Sequence, residues 1–138
     1  MTKILLVEDS KFMRLATERA LERAGFEVSS AGDGEKALRL AAENLPDLIL
    51  LDMLLPKMSG PDVLAALKQD PVTKAIPVVV ITGLSPKNAA RLQEDGAVAF
   101  LEKSALELDK GSEKLVLAVQ EILEKLSEVA RTTAAAAT

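Results

Sequence analysis

Four short apolar runs in this chain each end at polar side chains. The runs occupy residues 4–7, 48–51, 78–81 and 98–101, and the polar residues that follow them are Glu8, Asp9, Asp52, Thr82 and Lys103. Strands of a parallel sheet covered on both faces are nearly continuous in apolar residues, and ligands bind beyond their carboxyl ends. The pattern therefore predicts a parallel sheet that gathers three acids, a hydroxyl and a cation at one edge.

Three carboxylates at one edge of a sheet need a counter-charge. Two bare carboxylates about 4 Å apart repel each other by about 4 kcal/mol at an effective dielectric constant near 20. Mg²⁺ prefers oxygen ligands, so it would relieve the repulsion among Glu8, Asp9 and Asp52, with the ammonium group of Lys103 beside it. The same residues therefore predict a magnesium site.

The composition favours a single globular domain and argues against several kinds of site. A chain of 138 residues suits one hydrophobic core, and a net charge of −4 with a pI near 5.0 predicts no direct binding to nucleic acid. The chain has no Cys and no His, which argues against a zinc centre and a Ser-His-Asp triad. Its apolar runs are shorter than the roughly 20 residues of a membrane helix, so we expect no membrane association and a cytoplasmic location.

Strand and helix patterns alternate along the chain, which is typical of βα units around a parallel sheet. The predicted strands cover residues 4–7, 26–30, 48–51, 78–81 and 98–101. The predicted helices cover about 10–24, 35–44, a stretch from Pro61, about 86–94 and a long stretch from about Ser112. Residues 132–138 are almost all Ala and Thr and offer little to pack, so we expect this tail to be disordered.

Separate sequence segments, in order and at matching spacing, resemble the receiver domain of bacterial two-component response regulators (CheY-like). These segments are LLVEDS at 5–10, PDLILLDM at 46–53 and ITG at 81–83, together with Pro56, Met58, Gly60, Phe100 and Lys103. The resemblance covers about residues 3–126. It implies a flavodoxin-like α/β fold, a doubly wound five-stranded parallel sheet in the order 2-1-3-4-5 flanked by five helices. We accordingly expect a receiver domain over residues 1–126, with a helix extension and a tail over 127–138.

The resemblance also implies roles for the residues at the strand ends. Asp52 would be the phosphoacceptor, forming an acyl phosphate, and Glu8 and Asp9 would hold Mg²⁺ with Asp52 and the backbone of Leu54. Three further residues would serve the phosphoryl group: Thr82 by its hydroxyl, Gly83 by leaving the approach open, and Lys103 by its charge. Phe100 would be the aromatic switch.

The implied partners follow from the phosphoryl transfer. With no His of its own, the chain would receive the group from a histidine kinase or a His-phosphotransfer protein. Phosphorylation would shift the surface made by the helix over 86–94, the strand over 98–101 and the final helix, and so change binding to a downstream protein or a missing effector domain. The same surface is a candidate homodimer interface. The domain would signal rather than act as an enzyme, beyond catalysing its own phosphorylation and dephosphorylation.

Two positions depart from the family pattern. Ser104 follows Lys103 where most receivers have a proline after a cis peptide bond, and a cis bond before a non-proline residue costs about 3–4 kcal/mol. We therefore predict a trans bond and a loop of different shape from Ser104 to Leu106. The following segment, residues 106–111, is also expected to be irregular. Phe100 replaces the Tyr of many receivers, so an aromatic switch here would lack a hydroxyl.

Simpler interpretations of the same residues remain open. Asp9 could cap the first helix, Thr82 could be a turn hydroxyl, Lys103 could be a solvated surface residue, and Phe100 could be an aromatic at the edge of the core. Two other functions also remain: a receiver-like interaction module that works without phosphorylation, and a Mg²⁺-dependent phosphohydrolase of the haloacid-dehalogenase type. The second is disfavoured because such enzymes carry an aspartate two residues after the nucleophile, where this chain has Leu54.

Overall fold

The computed structural model describes residues 1–53, 55–83, 95–106, 108 and 111–137. Its strands are β1 (Lys3–Val7), β2 (Glu27–Ala31), β3 (Leu48–Asp52), β4 (Val78–Thr82) and β5 (Ala99–Glu102). They form one sheet in the order β2-β1-β3-β4-β5, and every neighbouring pair is parallel. The predicted flavodoxin-like sheet is therefore confirmed. β2 begins and ends one residue later than the sequence indicated.

The described helices are α1 (Lys11–Arg23), α2 (Gly34–Asn44), α3 (Gly60–Gln69), α4 (Lys103–Leu106) and α5 (Glu113–Ala137). Side-chain caps begin the first three, since Ser10, Asp33 and Ser59 each accept a hydrogen bond from the backbone N–H three residues later. These caps explain why α1 and α2 begin close to the predicted positions. The helix predicted over 86–94 lies outside the described residues.

The sheet is covered on both faces, as its continuous apolar strands require. On one face, alternate strand residues pack against buried residues of α2 and α3, including Ala37, Val63 and Leu64. On the other face, the intervening strand residues pack against Leu21 of α1 and against Leu115 and Val119 of α5. All five residues of β3 and of β4 are buried, so these two strands form the centre of the domain.

A close backbone approach shapes the connection from β3 to α3. The Gly60 N–H donates to the Met53 carbonyl at 3.1 Å, and a Cβ atom at Gly60 would lie 2.4 Å from the Met53 Cα. Only glycine leaves room for this contact, because the atoms it meets are backbone. The residue after Asp52 is thereby tied to the first turn of α3.

Three sequence-based expectations concern the part of the chain from Lys103 onward, and the structure confirms one of them. No peptide bond between described residues is cis, so the predicted trans bond from Lys103 to Ser104 is confirmed. The loop expected from Ser104 to Leu106 is wrong, because the chain forms the short helix α4 directly at Lys103. Of the segment expected to be irregular, residues 107, 109 and 110 lie outside the described residues. Helix α5 continues through Ala137, where the composition predicted disorder. Alanine has the highest helix propensity, so an alanine-rich segment can extend a helix that packing has already begun.

Candidate functional site

Polar residues from three neighbouring strands meet at the carboxyl edge of the sheet. In the central pairings, Val7 of β1 lies beside Leu51 of β3, and Asp52 lies beside Ile81 of β4. The residue after Val7 is Glu8, which therefore lies beside Asp52, and Thr82 lies one position beyond Ile81 at the same edge. Parallel pairing in register therefore brings residues more than 40 positions apart in the chain to one place.

Three carboxylates form the centre of this site. One carboxylate oxygen from each of Glu8, Asp9 and Asp52 lies within 4.8 Å of the other two. Their exposure is graded, since Asp52 is buried, Glu8 is half-buried and Asp9 is exposed. The cluster thus opens to solvent on the side of Asp9, and its innermost member is Asp52.

Lys103 supplies the positive charge that the sequence predicted beside these acids. Its Nζ atom donates a hydrogen bond to Asp52 Oδ2 at 2.9 Å, and the two side chains are 33% and 2% exposed. The residue directly follows β5, so the outermost strand carries it to the cluster. The interpretation of Lys103 as a solvated surface residue is wrong, because its ammonium group is paired with a buried acid.

The acid cluster changes the proton affinity of Glu8. Burial raises the pKa of the Glu8 carboxyl, and a hydrogen bond with Asp52 and the charge of Asp52 raise it further. The Ser10 N–H, which donates to Glu8 Oε1 at 3.2 Å, and the Lys103 charge act in the opposite direction. The net pKa of Glu8 is about 7, well above its ordinary value of 4.5.

The same environment also raises the pKa of Lys103, although burial here acts against the increase. Burial by itself lowers the pKa of the ammonium group, but the hydrogen bond and charge of Asp52, followed by the charges of Glu8 and Asp9, outweigh it. The net pKa of Lys103 is raised, so the side chain stays protonated in the neutral range.

The remaining predicted site residues lie around this cluster. Thr82 is fully buried at the end of β4, and Gly83 follows it in an exposed position. Phe100 lies on β5 beside Val80, is partly buried, and packs against the core on the α2 and α3 side of the sheet. Leu54, the predicted backbone ligand, lies outside the described residues.

One charged residue near the site was missed by the sequence interpretation. Nη1 of Arg14, on the second turn of α1, donates hydrogen bonds to the backbone carbonyls of Glu8 at 2.8 Å and of Asp9 at 3.4 Å. The available signal was a cation one helical turn beyond the Ser10 cap. It was weak, because many exposed helix positions carry Arg.

Comparisons with known proteins agree with this geometry. Residues 4–120 match the sequence profile of the response regulator receiver domain. The chain is 46% identical over 103 residues to the response regulator PleD of Caulobacter vibrioides, an alignment that covers 73% of this chain and 22% of PleD. The chain therefore spans about a fifth of the length of that relative.

Two solved structures illustrate the likeness in fold. The chemotaxis response regulator CheY4 of Vibrio cholerae superposes with a TM-score of 0.79 at 30% identity, covering 88% of this chain and 98% of CheY4. The response regulator Rcp1, solved in an Mn²⁺-bound form, superposes with a TM-score of 0.69 at 36% identity, covering 79% and 86%.

Within the part of the chain that the structure describes, no helix is both long and apolar enough to cross a membrane. The profile match covers most of the chain, and the fold and the acidic strand ends are those that the resemblance implied. The chain belongs to the family of response regulator receiver domains of two-component systems, which are signalling domains.

Proposed function

We propose that this domain accepts a phosphoryl group on Asp52 from a phosphohistidine of a partner histidine kinase or His-phosphotransfer protein. The observation that carries the proposal is the grouping of Asp52 with Glu8, Asp9 and Lys103 at the carboxyl edge of the sheet. A buried aspartate in such a setting is a nucleophile held in place by its neighbours. These 138 residues contain no His, so the donor phosphohistidine would lie outside them.

The donor atoms of the cluster suit Mg²⁺. One carboxylate oxygen from each of the three acids lies within 4.8 Å of the other two, and Mg²⁺, which takes oxygen ligands at about 2.1 Å, would draw them closer together. Glu8, Asp9 and Asp52 would hold it, with the backbone of Leu54 as a further expected ligand. The Mn²⁺-bound form of Rcp1 supports a divalent cation in this family. When bound, the ion would neutralise charge on the acids and on the phosphoryl oxygens.

In the proposed transfer step, each residue of the site has a separate role. A carboxylate oxygen of Asp52 forms a bond to phosphorus while the bond from phosphorus to the donor imidazole nitrogen breaks, and the bonding electron pair remains on that nitrogen. Lys103, 2.9 Å from Asp52 Oδ2, is close enough to move from the carboxylate to the incoming phosphoryl oxygens. The hydroxyl of Thr82 would donate to the same group, and Gly83 presents no side chain to obstruct it.

The output would be a change in the surface around β5. A phosphoryl group adds about 1.5 to 2 negative charges, which would draw Lys103 and Thr82 inward and let Phe100 take a more buried position. The surface formed by the segment before β5, by β5 and by α5 would then bind a downstream protein, an effector domain or a second copy of this chain. The match to one part of the longer PleD supports an effector attached to such domains.

Incubation with acetyl phosphate and Mg²⁺, followed by intact mass measurement, tests the proposal. We expect one added phosphoryl group in the natural protein and in Asp62→Asn, an exposed aspartate of α3, and none in Asp52→Asn or after removal of Mg²⁺ by EDTA. A gain that survives Asp52→Asn would reject the acceptor. No gain despite bound metal would favour an interaction module that works without phosphorylation, and steady turnover of phosphate monoesters would favour a phosphohydrolase.

A further inference from the structure

Arg14 contacts the backbone of both acidic residues at the end of β1. Its Nη1 atom donates to the Glu8 carbonyl at 2.8 Å and, less closely, to the Asp9 carbonyl at 3.4 Å. These contacts are to the main chain, so the guanidinium does not occupy the carboxylate oxygens that a metal ion would need. One planar group therefore holds two consecutive peptide units from which the Glu8 and Asp9 side chains extend.

Contacts at both ends of Arg14, at its backbone and at its guanidinium group, define its position. Its backbone N–H donates to the Ser10 carbonyl at 2.8 Å in the first turn of α1, which anchors the base of the side chain. At the other end, the guanidinium lies against Gly32 in the turn before α2, where an added Cβ would be 3.0 Å from Nη1 and 3.5 Å from Cζ. The missing side chain at Gly32 leaves room for the guanidinium.

The rest of the acidic turn is held by contacts that do not constrain both carbonyls. The Glu8 N–H donates to the Ala31 carbonyl at 3.0 Å, and the Ser10 N–H donates to the Glu8 side chain at 3.2 Å. The second contact uses a carboxylate oxygen and would compete with a metal ion for it. Arg14 thus stabilises the turn in a way that stays compatible with metal binding.

We propose that Arg14 is a positioning residue for the metal site, which acts by fixing the backbone of Glu8 and Asp9 so that both carboxylates converge on Asp52. This inference rests on the proposed function, in which these acids hold Mg²⁺. It predicts that Arg14 sets the affinity for Mg²⁺ and has little effect on the chemical step once Mg²⁺ is bound.

Titration calorimetry with Mg²⁺ alone, without phosphodonor, tests the proposal on the whole chain. Loss of a residue that orients metal ligands typically weakens metal binding about 10- to 100-fold, and we expect a loss at the lower end of this range for Arg14→Ala. Arg19→Ala, which removes the same charge from an exposed position of the same helix, is the matched control and should change the affinity little. Arg14→Lys keeps the charge on a shorter side chain and should fall between the two.

A kinetic measurement separates positioning from chemistry. In Arg14→Ala the Mg²⁺ concentration for half-maximal phosphorylation by acetyl phosphate should rise about as much as the dissociation constant, roughly tenfold, while the rate at saturating Mg²⁺ stays within a few-fold. A merely structural role would lower the melting temperature in EDTA without changing the Mg²⁺ affinity at temperatures where the variant is fully folded.

Gly32→Ala is a second variant that tests the contact between Arg14 and the Glu8 and Asp9 carbonyls. The added methyl would crowd the guanidinium without removing it, so we expect a weaker loss of Mg²⁺ affinity than in Arg14→Ala. In the double variant, Gly32→Ala should add no further loss, because its effect passes through Arg14. An additive double variant would overturn the proposed coupling.

The outcomes distinguish this inference from the function on which it rests. If Arg14→Ala binds Mg²⁺ as well as Arg19→Ala does, or if Arg14→Lys is identical to the natural protein, the positioning role is wrong while phosphorylation of Asp52 stands. If the natural protein binds no Mg²⁺, the proposed metal site and the role of Arg14 fail together.

Discussion

At the scale of single residues, the site is defined by three carboxylates and one ammonium group that lie close together. Asp52 is almost fully buried and is paired with Lys103, while Glu8 and Asp9 approach it from the end of β1. A lone buried carboxylate would be costly, so the pairing with Lys103 makes its burial possible. The same crowding makes Glu8 sensitive to the charge on its neighbour.

The pKa of Glu8 should depend on Asp52. Two of the three causes that raise it, the hydrogen bond and the charge of Asp52, disappear or weaken in Asp52→Asn, whereas burial remains. We therefore expect the pKa of Glu8 in metal-free Asp52→Asn to fall from about 7 toward its ordinary value of 4.5 without reaching it. Carboxyl ¹³C chemical shifts followed over pH by NMR would measure it. An unchanged pKa would mean that burial alone accounts for the shift.

At the scale of secondary-structure elements, side-chain caps and backbone contacts set where the helices begin and end. Leu45, the residue directly after α2, is a non-glycine residue with φ of 47° that is 55% exposed. Left-handed backbone conformation costs an L-residue roughly 1–2 kcal/mol, and glycine avoids that cost. The backbone at the end of this helix is therefore strained, at a position that lies outside the site.

Replacing Leu45 should reveal that strain. We expect Leu45→Gly to be more stable than Leu45→Ala by about 1 kcal/mol, because both remove the side chain but only glycine relaxes the backbone. Urea unfolding followed by circular dichroism would measure the difference, and phosphorylation of both variants should be unchanged. Equal stability of the two variants would show that the conformation at Leu45 is not strained.

At the scale of the whole molecule, the metal-free domain should be less stable as pH rises. Glu8 has a pKa of about 7 in the folded state against an ordinary value of 4.5, so between these values the folded protein binds more protons than the unfolded chain. The stability that this proton contributes is fully present below about pH 4.5 and is lost as pH rises through about 7.

Melting temperatures in EDTA between about pH 5 and about pH 8 would test this linkage. The contribution of Glu8 should be absent in Glu8→Gln, so the natural protein should lose more stability over this range than the variant does. Mg²⁺ should restore the stability of the natural protein at the upper end, where the Glu8 carboxyl has lost its proton. Identical pH profiles for the two proteins would show that Glu8 does not titrate in this range.

Much of the fold and part of the site could be predicted because the relevant signals are local. Runs such as residues 48–51 are apolar at every position, and the polar residue after each run lies at a strand end once the strands are parallel. The approximate position of α1 followed from Ser10 as a candidate cap and from helical spacing, that of α2 from the turn before it, and that of α3 from Pro61. The roles of Thr82, Gly83 and Phe100 stay predictions, and the segment over 86–94 and Leu54 lie outside the described residues.

By itself, then, the amino-acid sequence determined the alternating elements, the family and the acids and lysine at the strand ends, because each depends on neighbours a few residues away. Three properties were decided only by the tertiary structure. Lys103 pairs with Asp52, which is 51 positions away in the chain, the pKa of Glu8 is raised, and Arg14 contacts the backbone carbonyls of Glu8 and Asp9. These properties depend on burial and on distances between elements, which exist only after the chain has folded. The helix through Ala137 was missed for another reason, since the prediction of disorder considered the lack of packing partners and not the high helix propensity of alanine.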